Sequence, residues 1–534
     1  MGKRSVLCAA LRTVVLAVFW CPPGHSANFI VTHTQDAGPG SLREAIMLSN
    51  SNEGPDSILF HIPKSDPSFQ ESMTFWTIRP VQTPWPSIGG TGLVIDGFSQ
   101  SRFIGEDTNP FGPEIELDGR NLQGQDGLAA YYGSAEIFGM TINRFRTGIY
   151  FGYMGDGKIG GCYVGTDPTG MRAEPNTMDG ILLLETSHVA VVEHGGLKNV
   201  ISGNQRIGVF IADSSNGNVV TNCIVGLNRT QTDTLPNGVG IEIARGSDGN
   251  VIAENTVSGN LGFGIDIAQS FRNLIGMNRI GTNDSFAAGF GNGDIGVLIW
   301  FGACRNVIGN NFIANNYSGV VIGDSTCHEN KISYNSISRH TAKGIDNGYG
   351  GNRGIVPPVM TGISSDRVYG TAGPNQVIEV FADDADEGRI LVGSDTAGAS
   401  GDFSVAVAVP LQLPNLTATA TDEDGNTSEF SVPFAVGTGM DRIGVAPAEF
   451  SLEPNYPNPF NPQTRIVFRV GAACRVELKI LDVRGREMAT LVDVRCDAGS
   501  HSVLFDASLL PSGIYLARIR MGGYEATRRM VKLD

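Results

Sequence analysis

Between residues 199 and 340 the chain restates one phrase, and asparagine keeps its place each time. One column runs Asn218, Asn250, Asn273, Asn306 and Asn330. A second runs Asn199, Cys223, Asn255, Asn278, Asn311 and Asn335, and a third runs Asn204, Asn228, Asn260, Asn283, Asn316 and His340. Every repeat then enters a strand led by glycine: "GVFIA" from Gly208, "GIEIA" from Gly240, "GIDIA" from Gly264, "GVLIW" from Gly296 and "GVVIG" from Gly319. These glycines are 32, 24, 32 and 23 residues apart. The basic unit is therefore 23 to 24 residues, and alternate turns carry loops of eight or nine more. The loops echo one another as "VGTDPTGMRAEPN" from Val164, "VGLNRTQTDTLPN" from Val225 and "IGTNDSFAAGFGN" from Ile280. A fixed period of this size makes a solenoid.

Within a unit the strands are short, and Ile241 and Ile243 alternate with an outward Glu242, the pattern of a half-buried strand. The expected fold is all-β, a parallel β-helix with one coil per repeat. Coils stack about 4.8 Å apart, so each side chain recurs above itself. Asparagine tolerates the left-handed backbone of a tight turn, and its amide can bond the amide one coil away. The columns are read as structural rather than as a binding site.

An open solenoid end exposes strand edges and needs a cap. The segment "GSLREAIMLSN" (40 to 50) supplies one: Ser41 and Glu44 form a capping box, and Leu42, Ala45 and Ile46 form the buried face of a short helix. After "GIVPPVM" (354 to 360), whose prolines interrupt strand pairing, alternating strands and polar turns predict an immunoglobulin-like sandwich over 355–436. Asp424-Gly425 gives its last hairpin turn. Asp422, Asp424 and Asn426 are an alternative calcium loop, one that lacks the downstream glutamate of such loops. A linker over 437–447 leads to a second small sandwich over 448–534.

The chain of 534 residues is long enough for these several domains. Its formal charge of −16 argues against nucleic acid, which needs a basic patch. Residues 1–27 read as a signal peptide: Lys3, Arg4 and Arg12 precede or adjoin the apolar "VVLAVFW", and Gly24, Ser26 and Ala27 suit cleavage. That apolar run is too short to cross a bilayer, and no other transmembrane segment is expected. Export permits disulfides. Cys304 and Cys327, 23 residues apart, either bridge adjacent coils or serve as small buried hydrophobes, and Cys474 and Cys496 are 22 apart.

Two resemblances attach to quoted motifs. "FIVTHTQDAGPGSLREAIMLSN", "GPDSILFHIP", "LVIDGFSQ" and "PEIELDG" resemble bacterial exported proteins with an N-terminal Ser-Leu-Arg-Glu-Ala segment, over about residues 28–350. The resemblance implies a capped, right-handed parallel β-helix and carries no particular chemistry. "FSLEPNYPNPFNPQTRIVFRV", "VELKILDVRGREMATLV" and "SGIYLARIRMGG" resemble the C-terminal sorting domain of type IX secretion substrates. That implies export, the type IX machinery as partner, and a mature form released or attached at the outer cell surface.

Parallel β-helices host many polysaccharide lyases and hydrolases, yet fold alone is analogy. The paired-aspartate, His-Gly and Arg-x-Lys steps of galacturonase-like hydrolases are absent: the only Asp-Asp pair, Asp383-Asp384, lies in the sandwich, and His194-Gly195 has no acidic neighbours. The best constellation is Glu242 and Asp266, in one outward column one coil apart, with Trp300 and Phe301 beyond as a stacking surface for a sugar. Two carboxylates so close split their pKa values or share a cation. Tyr150, Leu182, Phe210, Leu298 and Val321 share the column, and the competing reading covers this face with the long loops and makes Trp300 a packing residue. The expectation is a non-enzymatic surface adhesin or glycan-binding protein. A polysaccharide lyase or glycoside hydrolase is the alternative, and a structural envelope component the third.

Overall fold

The computed structural model describes residues 26–69, 74–364, 366–407 and 413–436. It also describes 451–532 apart from 454, 456, 457, 459, 471, 472, 483–485, 497, 498 and 509. Most of the expected signal peptide and the whole expected linker lie outside the described residues. Two compact units divide at Val436 and Gly437.

The first unit opens with a right-handed parallel β-helix of three sheets, with eleven, ten and nine strands. From Thr91–Asp96 onward each coil contributes one strand to each sheet. Every pairing is parallel, with one register shift between Thr91 and Leu93, and the stacking runs as in Ile241 on Ile265 on Val297 on Val320. Inward aliphatics such as Ile211, Ile243, Ile267 and Ile299 are fully buried in one continuous core. The strand glycines are demanded by close approach: a Cβ on Gly240 would stand 2.5 Å from the Gly264 carbonyl oxygen on the next coil.

The asparagine columns are hydrogen-bonded ladders at the corners. Asn250 donates its backbone N–H and its Nδ2 to Asn273 Oδ1 at 2.8 and 3.0 Å. Asn273 repeats both bonds to Asn306 at 2.9 and 3.1 Å. Cys223 keeps half of the second column's pattern, donating its N–H to Asn255 Oδ1.

Two details differ from the sequence reading. At most ladder asparagines the left-handed residue is the one just before, as at Arg272, Arg305 and Glu329, with φ of 56°, 60° and 58°. The third column runs Asn204, Asn237, Asn260, Asn292 and Asn316, with Asn237 and Asn292 in the places assigned to Asn228 and Asn283. Asn228 and Asn283 instead brace the inserted loops, accepting from Thr232 N and Ala287 N. The loops open upstream of the ladder position, so counting forward lands inside them.

At the N-terminal end, helix Leu42–Asn50 buries Leu42, Ala45 and Ile46. Ser41 Oγ accepts from Glu44 N, and the Glu44 carboxylate reaches back to Gly40 N. A second short helix, Ser99–Ile104, packs nearby and was not foreseen; Ser99 Oγ and Gln100 Oε1 accept from Phe60 N and Ile62 N, ending the ladder at that strand.

The β-helix closes at its other end on the first sandwich, whose sheets are Val359–Ile363, Arg367–Thr371, Asp402–Ala406 and Ile390–Thr396, Val377–Asp383, Asn415–Thr421, Phe434–Ala435. Last-coil N–H groups donate into it: Glu329 N to Asn426 Oδ1, Ile332 N to Thr427 Oγ1, Tyr334 N to Glu379 and Ile337 N to Gly388 O. Asn352 ends the first ladder by accepting from Asn330 N while its Nδ2 donates to Thr427 O. Phe430 packs against the β-helix core.

The second unit is a separate antiparallel sandwich. One sheet holds Ser451–Leu452, Gln463–Val470 and Gly499–Asp506; the other holds Glu487–Cys496, Cys474–Asp482, Gly513–Met521 and Tyr524–Lys532. Cys474 and Cys496 face each other across the ladder.

Candidate functional site

The outer face of the third sheet gathers the residues singled out from the sequence. Glu242 is the in-register partner of Asp266, and Ala268, two residues along the same face, is the partner of Trp300. The Asp266 column continues through Phe210, Leu182 and Tyr150 on one side and Leu298 on the other. Beside it runs a column of mostly small residues, Gly152, Leu184, Ala212, Ala244 and Ala268, with Tyr131 at one end and Trp300 at the other. The six coil steps between those two rings span about 29 Å at about 4.8 Å each. The result is an apolar trough with aromatic ends and two carboxylates along one side. Its middle is packed as a cluster of Phe210, Ala212, Ala244 and Ala268 against which Trp300 lies, as the competing packing reading of Trp300 has it.

Both ends are layered. Tyr131 meets Tyr150 edge-on at 5.1 Å, and Tyr132 stacks on Tyr153 at 5.6 Å. Trp300 stacks on Phe301 at 4.2 Å and meets Phe263 edge-on at 6.4 Å. Phe301 is 58% exposed and Tyr132 67%.

The long loops do not cover this face. They turn back over the second sheet, where Leu227 and Phe290 pack with Tyr163, Val200 and Ile224. Each loop leaves the corner after a second-sheet strand and closes on itself, through pairs Thr166 with Ala173 and Leu227 with Thr234. On the third sheet Phe210 is covered instead by two guanidinium groups, Arg206 at 4.9 Å and Arg245 at 5.8 Å from its ring centre. Arg206 holds Asp179 with two bonds of 2.8 and 2.9 Å, and Arg245 reaches Asp213 at 3.3 Å.

Electrostatics separate the two central carboxylates. Burial pushes Asp266 up to about 7, the Glu242 charge adds to the shift, and the Trp300 indole opposes it. Glu242 is raised by burial too, with Arg206 and Arg245 pulling it back. Asp266 is 4% exposed, and its Oδ1 has no hydrogen-bond partner; neither has Trp300 Nε1.

Arg206, Asp179, Tyr131 and Phe263 were missed from sequence. Tyr131 was within reach, since it continues the Trp300 column, but Arg206 and Asp179 sit at a corner where periodicity says nothing about direction. At the proposed calcium loop, both Asp422 carboxylate oxygens accept from Asn426, Asp424 pairs with Arg353, and Asn426 Oδ1 accepts from Glu329 N. Cys304 and Cys327 stand as buried thiols. The Cys304 Sγ lies 3.2 Å from the Thr326 carbonyl oxygen.

Residues 455–533 match the family described as secretion system C-terminal sorting domain. The C-terminal unit is a sorting domain. The chain is thus exported and reaches the outer surface, with the secretion machinery as its partner. No described helix is long and apolar enough to cross a membrane. Residues 117–289 match the family described as periplasmic copper-binding protein (NosD).

No curated protein matches the chain. Solved structures that resemble it include the A-module of the mannuronan C-5 epimerase AlgE6 of Azotobacter vinelandii, at 13% identity over 60% of this chain and 91% of that one, TM-score 0.42. An alginate lyase from Paenibacillus sp. str. FPU-7 matches at 14% over 60% and 98%, TM-score 0.32. Tailspike protein 2 of Escherichia coli O157:H7 bacteriophage CAB120 matches at 11% over 93% and 70%, TM-score 0.31. Identities this low speak to fold alone, and the fold here rests on the chain's own register.

Among the described His, Cys, Asp and Glu side chains of the matched span no copper site forms. Cys162 and Cys223 are fully buried at the second corner, where burial pushes both thiols up to about 12, far from the thiolate a metal needs. His194 is stacked on Phe138 at 3.9 Å. Among the described residues no three His, Cys, Asp or Glu side chains converge.

Proposed function

We propose that this exported protein binds surface or extracellular glycans, without cleaving them, along the outer face of its third β-helix sheet. The observation that carries the reading is the trough itself: apolar, about 29 Å long from its coil spacing, with ring systems at both ends and carboxylates between. Stacked rings suit the apolar faces of sugars, and carboxylates accept from their hydroxyls. Many weak contacts along one face suit a polymer better than a small molecule. A sorting domain delivers such a face to the cell exterior.

One observation favours a second reading. Adjacent carboxylates with separated proton affinities are what a general acid and its partner require, so a glycosidase or lyase is the competing outcome. The test is the full-length chain on a polysaccharide panel. Affinity electrophoresis reads binding, while new reducing ends and absorbance of unsaturated products read cleavage. Retardation without new ends, lost in Trp300→Ala, is expected. Cleavage that disappears in Glu242→Gln or Asp266→Asn would replace binding with catalysis, and no response to any polymer would remove both.

A further inference from the structure

The glycan face holds two buried polar atoms of opposite kind that no protein group satisfies. Asp266 Oδ1 is an acceptor lacking a donor, and Trp300 Nε1 is a donor lacking an acceptor. They belong to successive coils, since Trp300 lies across the ladder from Ala268, two residues beyond Asp266 on the same face. The indole is near enough to lower the Asp266 proton affinity, yet the direct hydrogen bond is not made. Buried polar groups normally find partners, and an unpaired one marks a place where something else completes the set. The other charged groups facing this region are committed: Arg206 to Asp179 and Arg245 to Asp213, both arginines also lying over Phe210.

We infer that the ligand is a neutral, hydroxyl-rich polysaccharide, one of whose hydroxyls bridges Asp266 and Trp300. The inference rests on the glycan reading above and narrows it. A hydroxyl gives one hydrogen and accepts another, so a single group satisfies both atoms. Charged groups add nothing to that bridge, since an ammonium only donates and a carboxylate only accepts. Reaching Oδ1 takes a rotation of the Asp266 carboxyl about Cβ–Cγ, a soft two-fold torsion. Charge acts in the same direction. A polyuronate in the trough would bring its carboxylates against Glu242 and Asp266, and the nearest arginines are already neutralised by their own aspartates. Tyr131, Tyr150, Trp300 and Phe301 ask for apolar sugar faces and for no charge.

The experiment measures dissociation constants of the full-length chain at pH 8 and low salt. The probes are hydroxyethylcellulose and galactomannan as neutral polymers, and alginate and polygalacturonate as polyuronates. Neutral polymers are expected to bind at least about tenfold more tightly than the polyuronates. Trp300→Phe keeps the ring and loses the N–H, and is expected to weaken neutral binding about three- to tenfold. Asp266→Asn is expected to let polyuronates in, closing most of the gap. Asp402→Asn, the same charge change on the exposed sandwich, leaves the gap unchanged and controls for the net charge of the chain. Thermal unfolding of each variant checks that the β-helix is intact. Polyuronate binding as tight as neutral binding, or a gap that Asp266→Asn does not move, overturns the hydroxyl bridge and leaves the glycan reading standing. Absence of binding to every polymer overturns the glycan reading itself.

Discussion

Asp266 shows how burying one carboxyl carries a stability cost. Burial holds its carboxyl up to about 7, and burial in the sandwich against the last coil does the same for Glu379, which accepts from Tyr334 N. Both folded-state values lie above those of the unfolded chain, about 3.9 for Asp and 4.3 for Glu. The fold therefore binds protons that the unfolded chain releases. The stability this lends is complete below the unfolded values, declines as pH rises, and is gone above about 7. Asp266→Asn keeps the shape without the titration. It is expected to be more stable than the native chain by about 1–3 kcal/mol at pH 8 and to lose that advantage at pH 4. Urea unfolding midpoints at the two pH values decide it. An advantage that does not grow with pH would show that Asp266 is ionised in the fold throughout. Nothing in "GIDIA" announced this: the sequence placed Asp266 next to Glu242, and only the packing of Phe210, Leu298 and Trp300 around it sets its proton affinity.

At the scale of the coil, periodicity revealed the strands, the corners and two of the three ladders. It failed where an insertion precedes a ladder position. Counted back from the strand glycine, the third ladder is regular: Asn204 before Gly208, Asn237 before Gly240, Asn260 before Gly264, Asn292 before Gly296 and Asn316 before Gly319, each three or four residues upstream. The fixed point of a coil is its tight glycine, where a Cβ would meet the next carbonyl, and not the preceding corner, from which loops can grow. The difference is measurable. Asn237 takes N–H and Nδ2 bonds from Asn204 and gives both to Asn260 inside the core corner. Asn237→Ala is expected to cost about 2–4 kcal/mol, since it strands buried partners on both sides. Asn228 serves only its own loop, and Asn228→Ala is expected to cost about 1 kcal/mol or less. Chemical unfolding of the two variants compares them. A larger loss at Asn228 would mean that the ladder passes through the loop after all.

For the whole molecule, the sequence displayed three bodies in order and left open how the β-helix ends. The structure makes the first sandwich part of the same compact unit, because the last coil spends its free N–H groups on that domain. The residues that do this, Asn426, Thr427, Glu379 and Gly388, read in sequence as ordinary turn and strand positions. No local pattern distinguishes a turn that faces water from one that caps a solenoid. Lys343 to Glu429, Arg353 to Asp424 and the buried His340 to Glu387 contact tie the same seam. An uncapped coil presents a row of unpaired strand edges and an open core, and such edges pair with one another. A chain covering residues 26–354 is therefore expected to associate end to end at micromolar concentration, while 26–436 stays monomeric. Light scattering during size-exclusion chromatography separates the two outcomes. A soluble, monomeric 26–354 that unfolds at the same temperature as 26–436 would reduce the sandwich to an appendage. The expected association would make it the piece that terminates the β-helix and keeps it a discrete particle.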